Sequence, residues 1–356
     1  MSNDNYNIMY FFGQLFFKCY LFFKKSRYKS HENNHVYHPC PYNDIEVNNV
    51  TDLLSLTAVF IMLFFLGMSI LKVGLYQLSF EKMQFLLTKF TQNIYLGIIT
   101  GIVTTAILQS SSLIMVLTIG FVSIGFLTFK QSIGIMFGAN IGTTMTGELL
   151  TFTFIPEISF VIVGAIMLLI NNRIIFGVGA IVFGLGTIFV SLEGFESLSY
   201  YITQMPALSQ TISFTSSEPK IGVLVGAVVS AIIQSSSATI GITMSFLNEE
   251  ILQLTPSIAI VLGANIGTCF TSVLAMIGSK REAKLVGMAH IWFNIIGVLL
   301  FLPFLSWLTD IAEILAVDPK QQLAHISVLF NILTVLIFLP FIQLFEAFIR
   351  LLHSTK

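Results

Sequence analysis

The chain has 356 residues, of which 55% are apolar, 13% aromatic and only 10% charged, with a mean hydropathy of +0.87 and a formal net charge of −1. A soluble domain carries about 25% charged residues, so this composition excludes a globule surrounded by water and calls for a bilayer as solvent. The near-zero net charge excludes a basic field for nucleic acid. Three widely spaced cysteines, Cys19, Cys40 and Cys269, give neither a disulfide framework nor transition-metal spacing.

Residues 1–50 stand apart. An aromatic run, Met9–Phe23, is broken by Lys18 and followed by Lys24, Lys25, Arg27 and Lys29, then by a polar stretch holding His31, His35 and His38. No secretory cleavage pattern is evident, and the segment reads as an interfacial or flexible extension. Apolar stretches then run through 54–71, 94–129, 131–147, 158–170, 174–192, 221–247, 256–278, 285–308 and 326–349. They are continuous rather than alternating, which predicts spanning helices and not a barrel.

The chain repeats itself. At an offset of 125 residues, 101–150 matches 226–275 without a gap, with 22 of 50 positions identical. GIVTTAILQSSS (101–112) faces GAVVSAIIQSSS (226–237), and GANIGTTMT (138–146) faces GANIGTCFT (263–271). A shorter echo pairs FNIIGVLLFLPF (293–304) with FNILTVLIFLPF (330–341). These matches divide the chain into an N-terminal extension (1–50), a first repeat (51–157), a second repeat (158–284) and framing helices (285–356).

Charge sets the expected sides. Lys280, Arg281 and Lys284 put the loop after the second GANIGT inside, whereas Glu157 puts its counterpart outside. Before the motifs the signs swap, with Lys130 in the first copy and Glu249 and Glu250 in the second. Corresponding loops on opposite faces are the pattern of inverted-topology repeats. The fold expected is therefore an all-α polytopic membrane protein with two inverted repeats, each holding a QSSS broken-helix hairpin and a GANIGT helix. The scheme puts residues 31–50 outside, against the basic run at 24–29, and an interfacial or spanning N-terminus would reconcile the two.

The motifs suit a polar cargo. QSSS supplies an amide and three hydroxyls, at Gln109, Ser110, Ser111 and Ser112 and at Gln234, Ser235, Ser236 and Ser237. Such groups donate to an anion or offer oxygen to a cation. GANIGT adds Asn140, Gly142, Thr143 and Thr144, and Asn265, Gly267 and Thr268. Its glycines are expected to let backbone approach a ligand, and a helix broken there would turn a positive dipole end toward an oxyanion. No Lys or Arg lies in either motif. A buried oxyanion would then lack a fixed counter-charge, which favours entry together with a cation.

The double QSSS and GANIGT pattern resembles the type II sodium–phosphate cotransporter family in its compact bacterial form, over roughly residues 53–345. LGMSILKVGLYQL (66–78) is similar to the family's first-helix pattern, and AHIWFN (289–294) to its later His–x–x–Phe–Asn element. The resemblance implies a multi-pass cell-membrane symporter of inorganic phosphate with Na⁺ as coupling ion, no cofactor and no enzyme activity; a homodimer stays open. It implies that the eight QSSS residues bind phosphate and Na⁺, with the GANIGT residues supporting them or ligating Na⁺. Phosphate export or carriage of another oxyanion is the alternative, and an intramembrane serine hydrolase pairing a QSSS serine with His290 is the remote one. Three positions depart from the pattern: Glu148, where the second copy has Val273; Ser327, where the echo of His290 would fall; and Cys269, opposite Thr144. Glu148 is expected at an interface or as an added ion site, and His290 and Cys269 as buried packing residues.

Overall fold

The computed structural model describes residues 50–89, 93–151, 156–203, 210, 212, 214, 215 and 218–353, so the expectations for the N-terminal extension lie outside the described residues. Apolar sequence leaves the backbone no partner but itself, and every element among the described residues is helical. Helix α1 is Val50–Lys89, followed by α2 (Ile94–Leu108), α3 (Ser111–Ser123) and α4 (Phe129–Leu150). Then come α5 (Glu157–Leu168), α6 (Arg173–Thr203), α7 (Pro219–Ile233), α8 (Ser236–Asn248), α9 (Leu254–Thr268) and α10 (Phe270–Met276). The chain ends with α11 (Arg281–Phe301), α12 (Leu305–Leu315), α13 (Pro319–Phe338) and α14 (Ile342–His353).

Five stretches are long and apolar enough to cross a membrane: Leu53–Ser79, Arg173–Leu198, Leu254–Met276, Arg281–Leu315 and Pro319–His353. The protein is a multi-pass membrane protein. The segment 158–170, expected as a span, is instead the 12-residue α5, which reaches about 18 Å at 1.5 Å per residue. It lies along α6, with a Cβ at Gly164 placed 2.3 Å from the backbone of Phe183.

Small residues set the helix pairs, as expected where lipid removes the hydrophobic drive between helices. Helix α1 meets α6 where Gly67 and Gly74 face Gly184 and Gly177; a Cβ at Gly74 would come 2.5 Å from the Gly177 carbonyl oxygen. Helix α2 runs along α4, and α7 runs along α9 in the same manner. The echo at the C-terminal end is structural as well. Helices α11 and α13 both pass through a 3₁₀ turn over Leu-Pro-Phe, at Leu302–Phe304 and Leu339–Phe341. Proline cannot continue the helical hydrogen-bond ladder, so each helix bends there into α12 or α14. Phe137, Phe293, Phe338 and Phe345 stack where α4, α11, α13 and α14 meet, with the Phe137 and Phe293 rings 4.7 Å apart.

Candidate functional site

Each QSSS run breaks a helix in the same way. Gln109 ends α2 at φ 50°, ψ 37°, and Gln234 ends α7 at φ 57°, ψ 29°. Both lie in the left-handed region, where a residue with a Cβ is held only by its surroundings. The next serine is extended and caps the following helix: Ser110 Oγ accepts from Leu113 N at 3.3 Å, and Ser235 Oγ accepts from Ala238 N at 3.2 Å. Ser111 and Ser236 then open α3 and α8. Their first-turn N–H groups have no partner within the helix.

The hydroxyls behind the caps are available. Ser111, Ser236 and Ser237 are buried, and none of the three hydroxyls takes a hydrogen bond from another described residue. Ser112 is the exception, because Thr271 Oγ1 donates to its Oγ at 3.2 Å. Asn140 and Asn265 stand equivalently on α4 and α9. Each turns its amide nitrogen back onto its own helix, to Met136 O at 3.0 Å and Val261 O at 3.1 Å. The side-chain oxygen of each asparagine is left without a hydrogen bond among the described residues. Unpaired oxygens together with free N–H and O–H groups are the kind of donor and acceptor set that suits an anion and a hard cation.

The two halves are equivalent in sequence but not in contact. Gln109 is buried, and its Oε1 accepts from Thr146 Oγ1 at 2.6 Å. Gln234 is exposed and unbonded. Thr268 is buried, 3.1 Å from Ser230 Oγ, whereas its counterpart Thr143 is half-buried and bonds only its own helix at Ala139 O. Thr105, the counterpart of Ser230, buries its hydroxyl with no partner. Thr144 likewise bonds its own helix, at Ile141 O.

The glycines of GANIGT do something other than the sequence suggested. They sit inside helices, not at breaks: α4 runs unbroken through Gly138 and Gly142, and α9 continues through Gly267 to Thr268 before Cys269 interrupts it. A Cβ at Gly138 would lie 2.0 Å from Ile98 O, and one at Gly263 would lie 2.0 Å from Val223 O. Gly142 and Gly267 meet Ile102 O and Ala227 O at 2.7 and 2.3 Å. They let α4 press on α2 and α9 on α7, so the helices bearing the asparagines are pinned against those that end at the QSSS breaks.

His290 is buried, with Nδ1 2.8 Å from Ser272 Oγ, and Cys269 is buried beside it, accepting from Asn294 Nδ2 at 3.3 Å. Both are packing residues, as expected. The histidine's serine partner is thus Ser272 and not one of the QSSS serines. Glu148 is partly accessible and bonds His325 Nδ1 at 2.8 Å.

The sequence model described as Na⁺/Pi-cotransporter matches residues 63–197 and again 201–336. The chain belongs to this family. It is a transporter and not an enzyme. "Uncharacterized protein YqeW" of Bacillus subtilis is 40% identical over 305 residues, covering 85% of this chain and 99% of its own length. "Putative inorganic phosphate export protein YjbB" of Escherichia coli is 26% identical over 72% of this chain, which spans 48% of that protein. Human "Sodium-dependent phosphate transport protein 2B" is 29% identical over 36% of this chain and 20% of its own length. No solved structure matches the chain.

Proposed function

We propose that this family member is a secondary active transporter that carries inorganic phosphate together with Na⁺ by alternating access, through one site built from both QSSS breaks. The observation that carries the reading is the duplicated break itself: a left-handed glutamine, a capping serine and a helix N-terminus lined by serine hydroxyls, twice, in the same register. Helix N-termini favour oxyanions through their free N–H groups and dipole. Ser111, Ser236 and Ser237, with the first-turn amides of α3 and α8, are the phosphate donors in this reading. Ser112 and the two glutamines complete the shell.

Helices α2, α3, α7 and α8 have 15, 13, 15 and 13 residues. At 1.5 Å per residue each reaches about 20 Å, short of a ~30 Å hydrocarbon core. Pairs of half-helices that enter and return on one side, inverted between the two repeats, account for that length and for the swapped loop charges. Broken helices meeting near the midplane are how transporters of this kind hold polar cargo.

Sodium coupling follows from charge. The only bases on α2, α3, α4, α7, α8, α9 and α10 are Lys130 and Lys220, each at the start of its helix and away from the motifs. Phosphate entering without a counter-ion would be an unpaired buried charge. The free side-chain oxygens of Asn140 and Asn265, with Thr143, Thr268 and backbone carbonyls at the ends of α2 and α7, are the cation ligands in this reading. The names of relatives carry both directions of phosphate movement, and a carrier runs down whichever gradients it meets. The test is uptake of radiolabelled phosphate into proteoliposomes with and without an inward Na⁺ gradient. Uptake that requires Na⁺ supports the reading; phosphate movement indifferent to every cation gradient overturns the coupling.

A further inference from the structure

We propose that Glu148 and His325 form a positioning pair that fixes the binding-site helix α4 against α13 on one side of the molecule only. The inference rests on the transport reading above.

The pair is 2.8 Å apart, with side chains 23% and 36% exposed. It lies in a chain where ionisable groups at membrane depth are rare and costly. Both members break the internal symmetry. At the 125-residue offset Glu148 corresponds to Val273, and at the 37-residue offset of the C-terminal echo His325 corresponds to Met288. The opposite half thus replaces a carboxylate and an imidazole by two apolar residues. It keeps its own imidazole elsewhere, His290 buried on Ser272, while the positions corresponding to those two are Ser327 and Gly147. Each half has one histidine at this helix junction. One is buried and hydroxyl-bonded; the other is partly exposed and faces a carboxylate.

Two equivalent halves would suffice to build a symmetric site, so a pair present in one half alone serves what differs between the sides. Its lever is short. Glu148 follows Thr146 by two residues, and Thr146 holds the buried amide oxygen of Gln109 at the first QSSS break. Gly147, between them, is in reach of Ile240 and Met244 of α8 and of Ala324, beside His325. Tightening or loosening α4 on α13 therefore moves the partner of Gln109 and the helix that begins with the second QSSS serines.

The other charged or titratable groups around the pair are few. On α13 Lys320 is engaged by Glu196 of α6 at 2.6 Å. Helix α12 carries Asp310 and Glu313, and Glu249 follows α8. Helices α3, α8 and α9 carry none, α2 only Tyr95, and α11 carries Arg281, Glu282, Lys284 and His290.

The test has two arms on the purified full chain. The first is a thermal-unfolding cycle of Glu148→Gln, His325→Gln and both together. The expected result is a loss that is non-additive by a few degrees. Additivity overturns the pair. The second arm compares KM and kcat of phosphate uptake between the parent and the double variant Glu148→Val, His325→Met, which copies the residues of the opposite half. The expected result is retained kcat with KM for phosphate raised at least about threefold, roughly 0.7 kcal/mol. An unchanged KM beside a coupled unfolding cycle reduces the pair to a structural tie and overturns the positioning role. Absence of phosphate uptake in the parent as well refutes the transport reading, and with it the positioning role, while the unfolding cycle still decides whether the two residues are coupled.

Discussion

Thr271 Oγ1 lies 3.2 Å from Ser112 Oγ across 159 positions of sequence and so ties the second GANIGT segment to the first QSSS break, while it also bonds Thr268 O of its own helix region at 2.9 Å. Its counterpart Thr146 serves Gln109 of its own half, at 2.6 Å. Of this pair of equivalent residues, Thr271 thus adds a bond between the halves and Thr146 stays within its own. A carrier with inverted halves needs such inequality, because a strictly symmetric site would face both sides alike.

The two threonines should separate on substitution. Thr146→Val leaves the buried Gln109 oxygen unpaired and is expected to cost about 1–3 kcal/mol of stability. Thr271→Val removes a half-buried bond between polar groups that retain other access, and is expected to cost under about 1 kcal/mol. Thermal unfolding of the purified variants reads the difference. Uptake by Thr271→Val should nevertheless fall several-fold, because Ser112 loses its tie to the opposite half. Equal unfolding temperatures for the two variants would refute the assignment.

The serines divide by role. Ser110 and Ser235 cap helices, so their change to Ala is expected to cost about 1 kcal/mol each. Ser111 and Ser236 hold no hydrogen bond among the described residues, so Ser111→Ala and Ser236→Ala should leave the unfolding temperature within a degree or two of the parent. Phosphate uptake should fall at least tenfold in each, about 1.4 kcal/mol of lost binding. Full uptake in both variants would remove these hydroxyls from the phosphate shell.

Glycine substitutions test the revised role of GANIGT. Gly138→Ala and Gly263→Ala each press a methyl group to 2.0 Å from a backbone oxygen of the neighbouring helix. Neither contact can relax by moving a side chain, so overpacking of about 1–3 kcal/mol or more is expected, with poor yield of folded protein. Gly147→Ala meets nothing closer than 3.8 Å and should be tolerated. Monodispersity on size exclusion in detergent distinguishes the three.

What the sequence made legible was whatever it stated twice. The QSSS breaks appear where the polar motif interrupts an apolar run, and their equivalence follows from the fixed 125-residue register. The FLPF echo likewise marks two related framing helices; that each bends at its proline is what the structure adds. The glycines misled, since a glycine that admits a ligand and a glycine that admits another helix are the same letter. Spacing offered the better clue: Gly134, Gly138 and Gly142 recur every four residues, the mark of a packed helix face. Thr146 and Thr271 were passed over although they are identical in both copies, since nothing local says which partner a buried hydroxyl will find. His325 had no signal at all. Its partner Glu148 lies 177 positions away, and only the packing of α4 on α13 brings them together.

The echo of His290 yields one more prediction. Ser327 occupies that place on α13, and its hydroxyl is buried with no hydrogen-bond partner among the described residues. The position that corresponds to Ser272, the residue the other half offers to its histidine, is Gly147, which has no hydroxyl to give. An unmet buried hydroxyl costs about 1–3 kcal/mol, whereas the methyl group of alanine asks for nothing. Ser327→Ala should therefore stabilise the protein, raising the unfolding temperature by a few degrees while leaving phosphate uptake unchanged. The void left by one oxygen is smaller than a methyl group and offsets only part of that gain. An unchanged or lowered unfolding temperature for Ser327→Ala would mean that the hydroxyl of Ser327 is not an unmet buried group.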